Sequence, residues 1–191
     1  MKVIIEISAR HCHISRQDLD LIYGPGYKLT PEKPLSQTGQ FAAKETIDVK
    51  VGDKILKNLR ILGPERESTQ VEISLTEGYF LKVKPPLKEC TCPDKPGGCV
   101  LAEIIGPKGK ISRCAIIAAQ RHFHTDPQTG KKLKLKNKQM VSLKTAGPRS
   151  VILNNVLVRI DPSFSPRIHL DTDEANAAGL EPGAKGELIV G

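Results

Sequence analysis

The tetrapeptide Arg10-His11-Cys12-His13 returns 111 residues later as Arg121-His122-Phe123-His124. A second pair of segments, NLRILGPERESTQVEISLTE from Asn58 and NVLVRIDPSFSPRIHLDTDE from Asn155, aligns without gaps at a lag of 97 residues. Duplication on this scale restricts the fold more than any single motif, because both copies must bury their apolar faces in the same way. Two related halves are therefore expected. Short runs rich in β-branched residues, among them KVIIEIS, ETIDVKV, ILKNLRIL, TQVEISL, YFLKVK, CVLAEIIG, KISRCAIIAA, MVSLKT, SVILNNVLVRI and GELIVG, are separated by Gly, Pro, Asp or Asn. That rhythm belongs to barrels or sandwiches. Two short helices are expected as well. One follows Ser15 in SRQDLDLIYG, with a Ser-x-x-Asp cap and a closing Gly24; the other is DTDEANAAG, acidic at its start and ended by Gly179.

All five histidines fall in the duplicated elements. The alignment sets Glu72 opposite His169, so one half offers His11, His13 and Glu72 and the other His122, His124 and His169. In an extended strand, side chains at i and i+2 leave the same face about 6.6–7 Å apart, so two imidazoles can converge on one ion. Cys12 and Phe123 then face the other way. Three protein donors with a fourth position open is the arrangement of catalytic zinc, and nickel, cobalt or iron suit the same donors. A single His-x-His pair is more often surface decoration; two copies, each with a third donor, shift the balance. Arg66 stands six residues before Glu72. Its planar, permanently charged fork suits a phosphate oxyanion, although the strand is not expected to run unbroken from it to Glu72.

Apolar residues make up 39% of the 191, enough for a packed core. No apolar run approaches the roughly 18 residues of a membrane span, and MKVIIEISAR lacks the features of a signal peptide, so a soluble cytoplasmic protein is expected. Lys+Arg 29 against Asp+Glu 21 leaves a net charge of +8, partly from Lys131, Lys132, Lys134, Lys136 and Lys138. A basic surface attracts polyanions. With four Phe, three Tyr and no Trp, stacking surfaces are few, which favours a small phosphate-bearing ligand over nucleic acid. Five cysteines without an export signal point to free thiols rather than disulfides. Cys90, Cys92 and Cys99 lack a nearby fourth ligand for a closed structural metal site. Cys12 and Cys114 are assigned to packing, since neither has a dedicated base.

The segments SARHCHIS, KPLSQTGQFAAKET, LRILGPERESTQVEIS, IIAAQRHFH and NVLVRIDPSFSPRIHLDTDEANAAG, in this order and spacing, resemble the PduL-type phosphate propanoyltransferase family of phosphotransacylases over nearly the whole chain. The resemblance implies a mainly β fold of two β-barrels capped by short α-helices. Residues 1–9 and 120–191 would form one barrel and residues 10–119 the other, with the active site between them. It implies two zinc ions per chain, on His11, His13 and Glu72 and on His122, His124 and His169. Arg66 matches the phosphate-binding catalytic arginine. The coenzyme A contacts fall on Ile7, Ser8, Ala9, Arg60 and Asn176, and on Lys54 if one residue is gapped. The implied reaction turns acyl-CoA and inorganic phosphate into acyl phosphate and CoA, reversibly, with acetyl or propanoyl as the group and no acyl-enzyme. No nucleic-acid or membrane partner is expected, and a homo-oligomer is left open.

The chain departs from the family pattern after His124, where it reads TDPQTGKKLKLKNKQM, and in the loop from Cys90 to Cys99. Family members packaged in bacterial microcompartments carry an N-terminal extension before the first strand. This sequence begins at that strand, which implies a freely cytoplasmic enzyme of general acetate metabolism. The ligands alone also permit a dinuclear zinc hydrolase of thioesters or phosphate esters. The lysine-rich segment alone permits a zinc-stabilised barrel that binds nucleic acid.

Overall fold

The structure, a computed structural model, describes residues 1–89 and 98–190, so Cys90 and Cys92 lie outside the described residues. The chain forms two compact units: Met1–Ala9 with Gln120–Gly191, and Arg10–Ala119. Strand β1 (Lys2–Ser8) opens the first unit. The second unit holds β2 (His11–Ser15), α1 (Arg16–Tyr23), β3 (Pro31–Pro34), β4 (Phe41–Val51), β5 (Lys54–Arg66), β6 (Gln70–Glu72), α2 (Leu75–Phe80), β7 (Leu87–Lys88), β8 (Val100–Ile105) and β9 (Lys110–Ala119). The first unit then resumes with β10 (His122–Thr125), α3 (Pro127–Lys132), β11 (Met140–Lys144), β12 (Ile152–Ile160), β13 (Arg167–Asp171), α4 (Thr172–Ala178) and β14 (Lys185–Ile189).

Each unit is a closed six-stranded barrel. The first runs β1-β13-β10-β12-β11-β14, with β14 returning to β1. The second runs β4-β5-β2-β6-β9-β8, with β8 returning to β4, while β3 and β7 add to its outside. The rings match strand for strand. β2 is parallel to β5 and antiparallel to β6, as β10 is parallel to β12 and antiparallel to β13. β9 lies parallel to β6, and β1 takes the equivalent place beside β13. Thus β1 and β9, themselves equivalent at the lag of 111, each complete one barrel and lead straight into a strand of the other.

Local chemistry repeats with the topology. Asn58 and Asn155 both adopt φ near +58°, a left-handed conformation that asparagine tolerates better than most side chains. Ser74 caps α2 and Asp171 caps α4, and each is answered by a glutamate at the third helical position, Glu77 and Glu174, in a capping box. The expected helices appear as α1, capped by Ser15, and α4, ended by Gly179 at φ 62°. Two further helices, α2 and α3, were not expected; YFLKVK, read as a strand, supplies the end of α2 and the turn after it. Among the described residues no helix is long and apolar enough to cross a membrane.

Strand alternation divides the two faces of each barrel wall. Cys12 joins Ile14, Leu59, Ile61, Val71 and Ile116 in one core, and Phe123 joins Ile5, Val158, Ile168 and Leu170 in the other. Phe123 is fully buried in that core, on the face of β10 opposite to that of His122 and His124. Phe123→Ala is therefore expected to cost about 3–5 kcal/mol, read as a lower denaturation midpoint; a change under about 1 kcal/mol would mean the ring is not a core element.

Cys99 and Cys114 are joined in a disulfide, which corrects the expectation of free thiols and of Cys114 as a packing residue. The cause is non-local. β8 and β9 are antiparallel neighbours with Leu101 opposite Cys114, and this brings the two cysteine Cα atoms to 5.3 Å, inside the range a disulfide needs. Among the described residues Cys12 remains free and buried.

Candidate metal centres

Period-2 geometry builds both triads. His11 and His13 leave one face of β2, and the antiparallel β6 sets Glu72 directly opposite His11. His11 Nε2 lies 3.5 Å from one Glu72 oxygen and His13 Nε2 3.8 Å from the other, so a single carboxylate faces both imidazoles. Gln70 Nε2 donates to Glu72 Oε1 at 2.8 Å and fixes that carboxylate. Burial, then the neighbouring His11 and Arg66 charges, hold His13 well below its ordinary value. The ring is therefore neutral near pH 7, with a lone pair available to a metal.

In the first unit β10 presents His122 and His124, and the antiparallel β13 sets His169 opposite His122. The three ring centroids lie 4.5–4.8 Å apart, and Phe164 stacks on His124 at 3.8 Å. His122 Nδ1 is 2.8 Å from the Gln120 carbonyl oxygen, so that nitrogen carries the proton and Nε2 is the one that bears a lone pair.

Within each triad the donor atoms lie within 4.8 Å of one another. Donors about a tetrahedral zinc at about 2.0–2.1 Å stand roughly 3.4 Å apart, so modest side-chain adjustment closes either set on one ion. The donor chemistry fits as well: two imidazoles with one carboxylate in the first set, and three imidazoles in the second.

Arg66 ends β5, with its backbone in register with Ser15 on β2. The chain turns through residues 67–69 and comes back on the far side of β2 as β6, so there is no unbroken strand from Arg66 to Glu72. That turn is clamped. Thr69 Oγ1 donates to the buried Asp18 at 2.6 Å and accepts from the Ser15 backbone N–H at 3.0 Å. Arg113 donates to Asp18 through Nη2 at 2.7 Å and Nε at 3.1 Å. The guanidinium fork satisfies a carboxylate that would otherwise be costly to bury.

The remaining candidates are spread over both units. Ile7, Ser8 and Ala9 end and follow β1, where Ser8 lies in register with Asp171, the cap of α4; Asn176 is exposed on α4. In the second unit, Arg60 lies in register with His11 and pairs with Glu32 at 2.7 Å. Lys54 begins β5 with its ammonium 5.9 Å from the Phe80 ring centroid. Several residues beside the triads or their strands escaped the sequence reading: Gln70, Glu6, and the equivalent ion pairs Arg10–Glu77 at 2.9 Å and Arg121–Glu174 at 2.6 Å. Each arginine ties the residue before its His-x-His strand to the first turn of a helix. The lag of 111 between the arginines and of 97 between the glutamates was the signal that could have found these pairs.

Comparison with known proteins follows the same lines. The family model for phosphate propanoyltransferase matches residues 4–181. A phosphate propanoyltransferase of Enterococcus faecalis is 42% identical over 185 residues, covering 97% of this chain and 87% of that protein. One from Thermotoga maritima is 43% identical over 184 residues, covering 95% and 86%. One from Rhodopseudomonas palustris is 40% identical over 182 residues, covering 94% and 79%.

Proposed function

Because the chain belongs to the phosphate propanoyltransferase family and is a phosphate acyltransferase, we propose that it interconverts acetyl-CoA or propanoyl-CoA plus inorganic phosphate with acyl phosphate plus CoA, using two zinc ions. The observation that carries this reading is the pair of equivalent three-donor triads, one of them under the charge of Arg66. His11, His13 and Glu72 hold one ion, and His122, His124 and His169 the other. Bound there, zinc supplies Lewis acidity to a phosphate oxygen or to the thioester carbonyl.

Arg66 neutralises phosphate charge and aims one of its oxygens at the carbonyl carbon. The new C–O bond forms as the C–S bond breaks, and sulfur leaves with the bonding pair as CoA thiolate, to be protonated by solvent. Attack is direct. Cys12 is enclosed in a core, and burial, then the Asp18 and Glu72 charges, push its thiol far above the ordinary range, so it cannot serve as an acyl-accepting nucleophile. Ile7, Ser8, Ala9 and Asn176 contact the coenzyme, and Lys54 and Arg60 meet its phosphates.

The test is release of free thiol from acetyl-CoA and from propanoyl-CoA by zinc-loaded protein, with and without inorganic phosphate. Phosphate-dependent release with acyl phosphate formed is the expected result. Release that ignores phosphate would make the protein a hydrolase, and no release from either thioester would sink the proposal.

A further inference from the structure

We infer that Glu6 is a positioning residue for the second triad: its carboxylate accepts a hydrogen bond from the Nδ1–H of His169 and turns Nε2 toward the ion. The inference rests on the zinc reading above. Glu6 and His169 are direct neighbours in the parallel ladder of β1 and β13, and their side chains share the outer face of the barrel. Glu6 Oε2 lies 3.7 Å from His169 Nδ1, while Oε1 faces Arg167 Nε at 3.5 Å. Arg167 is itself anchored, donating from Nη1 to the Pro166 carbonyl at 2.8 Å. The two carboxylate oxygens thus face different partners, Oε1 the guanidinium and Oε2 the ring. A small shift of His169 toward an ion would bring this 3.7 Å separation within hydrogen-bond range.

The duplication sharpens the assignment. At the lag of 111, Glu6 is the counterpart of Ile117, and Ile117 stands beside Glu72 in the equivalent ladder of β6 and β9. The first triad carries its carboxylate among the donors and has an aliphatic neighbour. The second has three imidazoles as donors and carries its carboxylate next to one of them. Each triad therefore has a carboxylate close by that would offset a divalent cation, placed differently in the two copies. A ligating histidine that donates its second nitrogen to an acceptor is both oriented and made more basic, and the Gln120 carbonyl already serves His122 in this way.

The test uses a His13→Ala background, in which the first triad is disabled and one zinc per chain remains, its affinity read by competition with a chromophoric chelator. Adding Glu6→Gln is expected to weaken that zinc about 10–100-fold. Glu6→Asp should recover part of the loss, and the histidine ¹⁵N spectrum should show His169 leaving its Nδ1-protonated tautomer in Glu6→Gln. Arg167→Gln, which releases the carboxylate without removing it, should give a smaller loss in the same direction and serves if Glu6→Gln does not fold. Unchanged affinity and tautomer overturn the role of Glu6 and leave the metal reading standing; a parent protein that binds no zinc at all overturns both.

Discussion

Arg66→Ala is expected to lower phosphate-dependent thioester cleavage by roughly 10²–10³-fold while two zinc ions stay bound, the range seen when one preorganised charge-stabilising donor is lost. The physical case has two parts. Arg66 is close enough for its charge to help hold His13 in the neutral form, which on the proposed reading sets it beside a phosphate held at the first triad. It is also outside both donor sets, so its removal subtracts positive charge from the substrate rather than a ligand from the ion. Arg66→Lys should recover only part of the activity, since an ammonium keeps the charge but loses the fork that grips two oxygens. The loss should appear in both the KM for phosphate and kcat, with the KM for acyl-CoA changing less. If zinc content falls with activity, Arg66 supports the metal site and its assignment to phosphate is wrong.

What the sequence made legible here was whatever repeats or alternates. β-branched runs bounded by turn residues marked most strands, and the lags of 111 and 97 residues grouped His11, His13 and Glu72 and His122, His124 and His169 as the structure does. Period 2 also separated Cys12 and Phe123 from their histidine neighbours, because a strand sends adjacent side chains to opposite faces. The short helices α2 and α3 escaped because six residues give too little periodicity to outweigh apolar side chains such as Tyr79, Phe80 and Leu81. Their caps held the missing signal: Ser74 with Glu77 for α2, and Asp126 followed by Pro127 for α3.

Contacts made across the ladder were beyond reach. The Cys99–Cys114 bond depends on β8 lying against β9, and cysteine spacing alone does not give connectivity. Glu6 reads as a polar residue set among Val3, Ile4, Ile5 and Ile7, and its neighbours Arg167 and His169 lie in the last third of the sequence. Only the strand exchange that puts β1 beside β13 brings them together. The two triads could be found by type and spacing, whereas the groups beside them required the topology.

His124→Ala is expected to take the protein from two zinc ions per chain to one. His124 is buried on β10, with Arg167 and Arg159 in register on its two neighbouring strands, so no nearby carboxylate or imidazole in those registers replaces it. His122 and His169 would remain as a two-donor remnant. Since loss of a partner that merely orients a ligand costs about 10–100-fold in affinity, loss of the ligand itself should cost at least the upper end of that range. Stability gives a second readout. At free zinc 100 times its Kd, a site that exists only in the folded chain adds about 2.7 kcal/mol, and a hundredfold weaker site adds about 0.4 kcal/mol. Chelation should therefore lower the melting temperature of the parent protein more than that of His124→Ala, and the two zinc-free proteins should melt closer together than the two zinc-loaded ones. Two zinc ions retained by His124→Ala, with the chelator effect undiminished, would remove His124 from the ligands and leave the second triad without a basis.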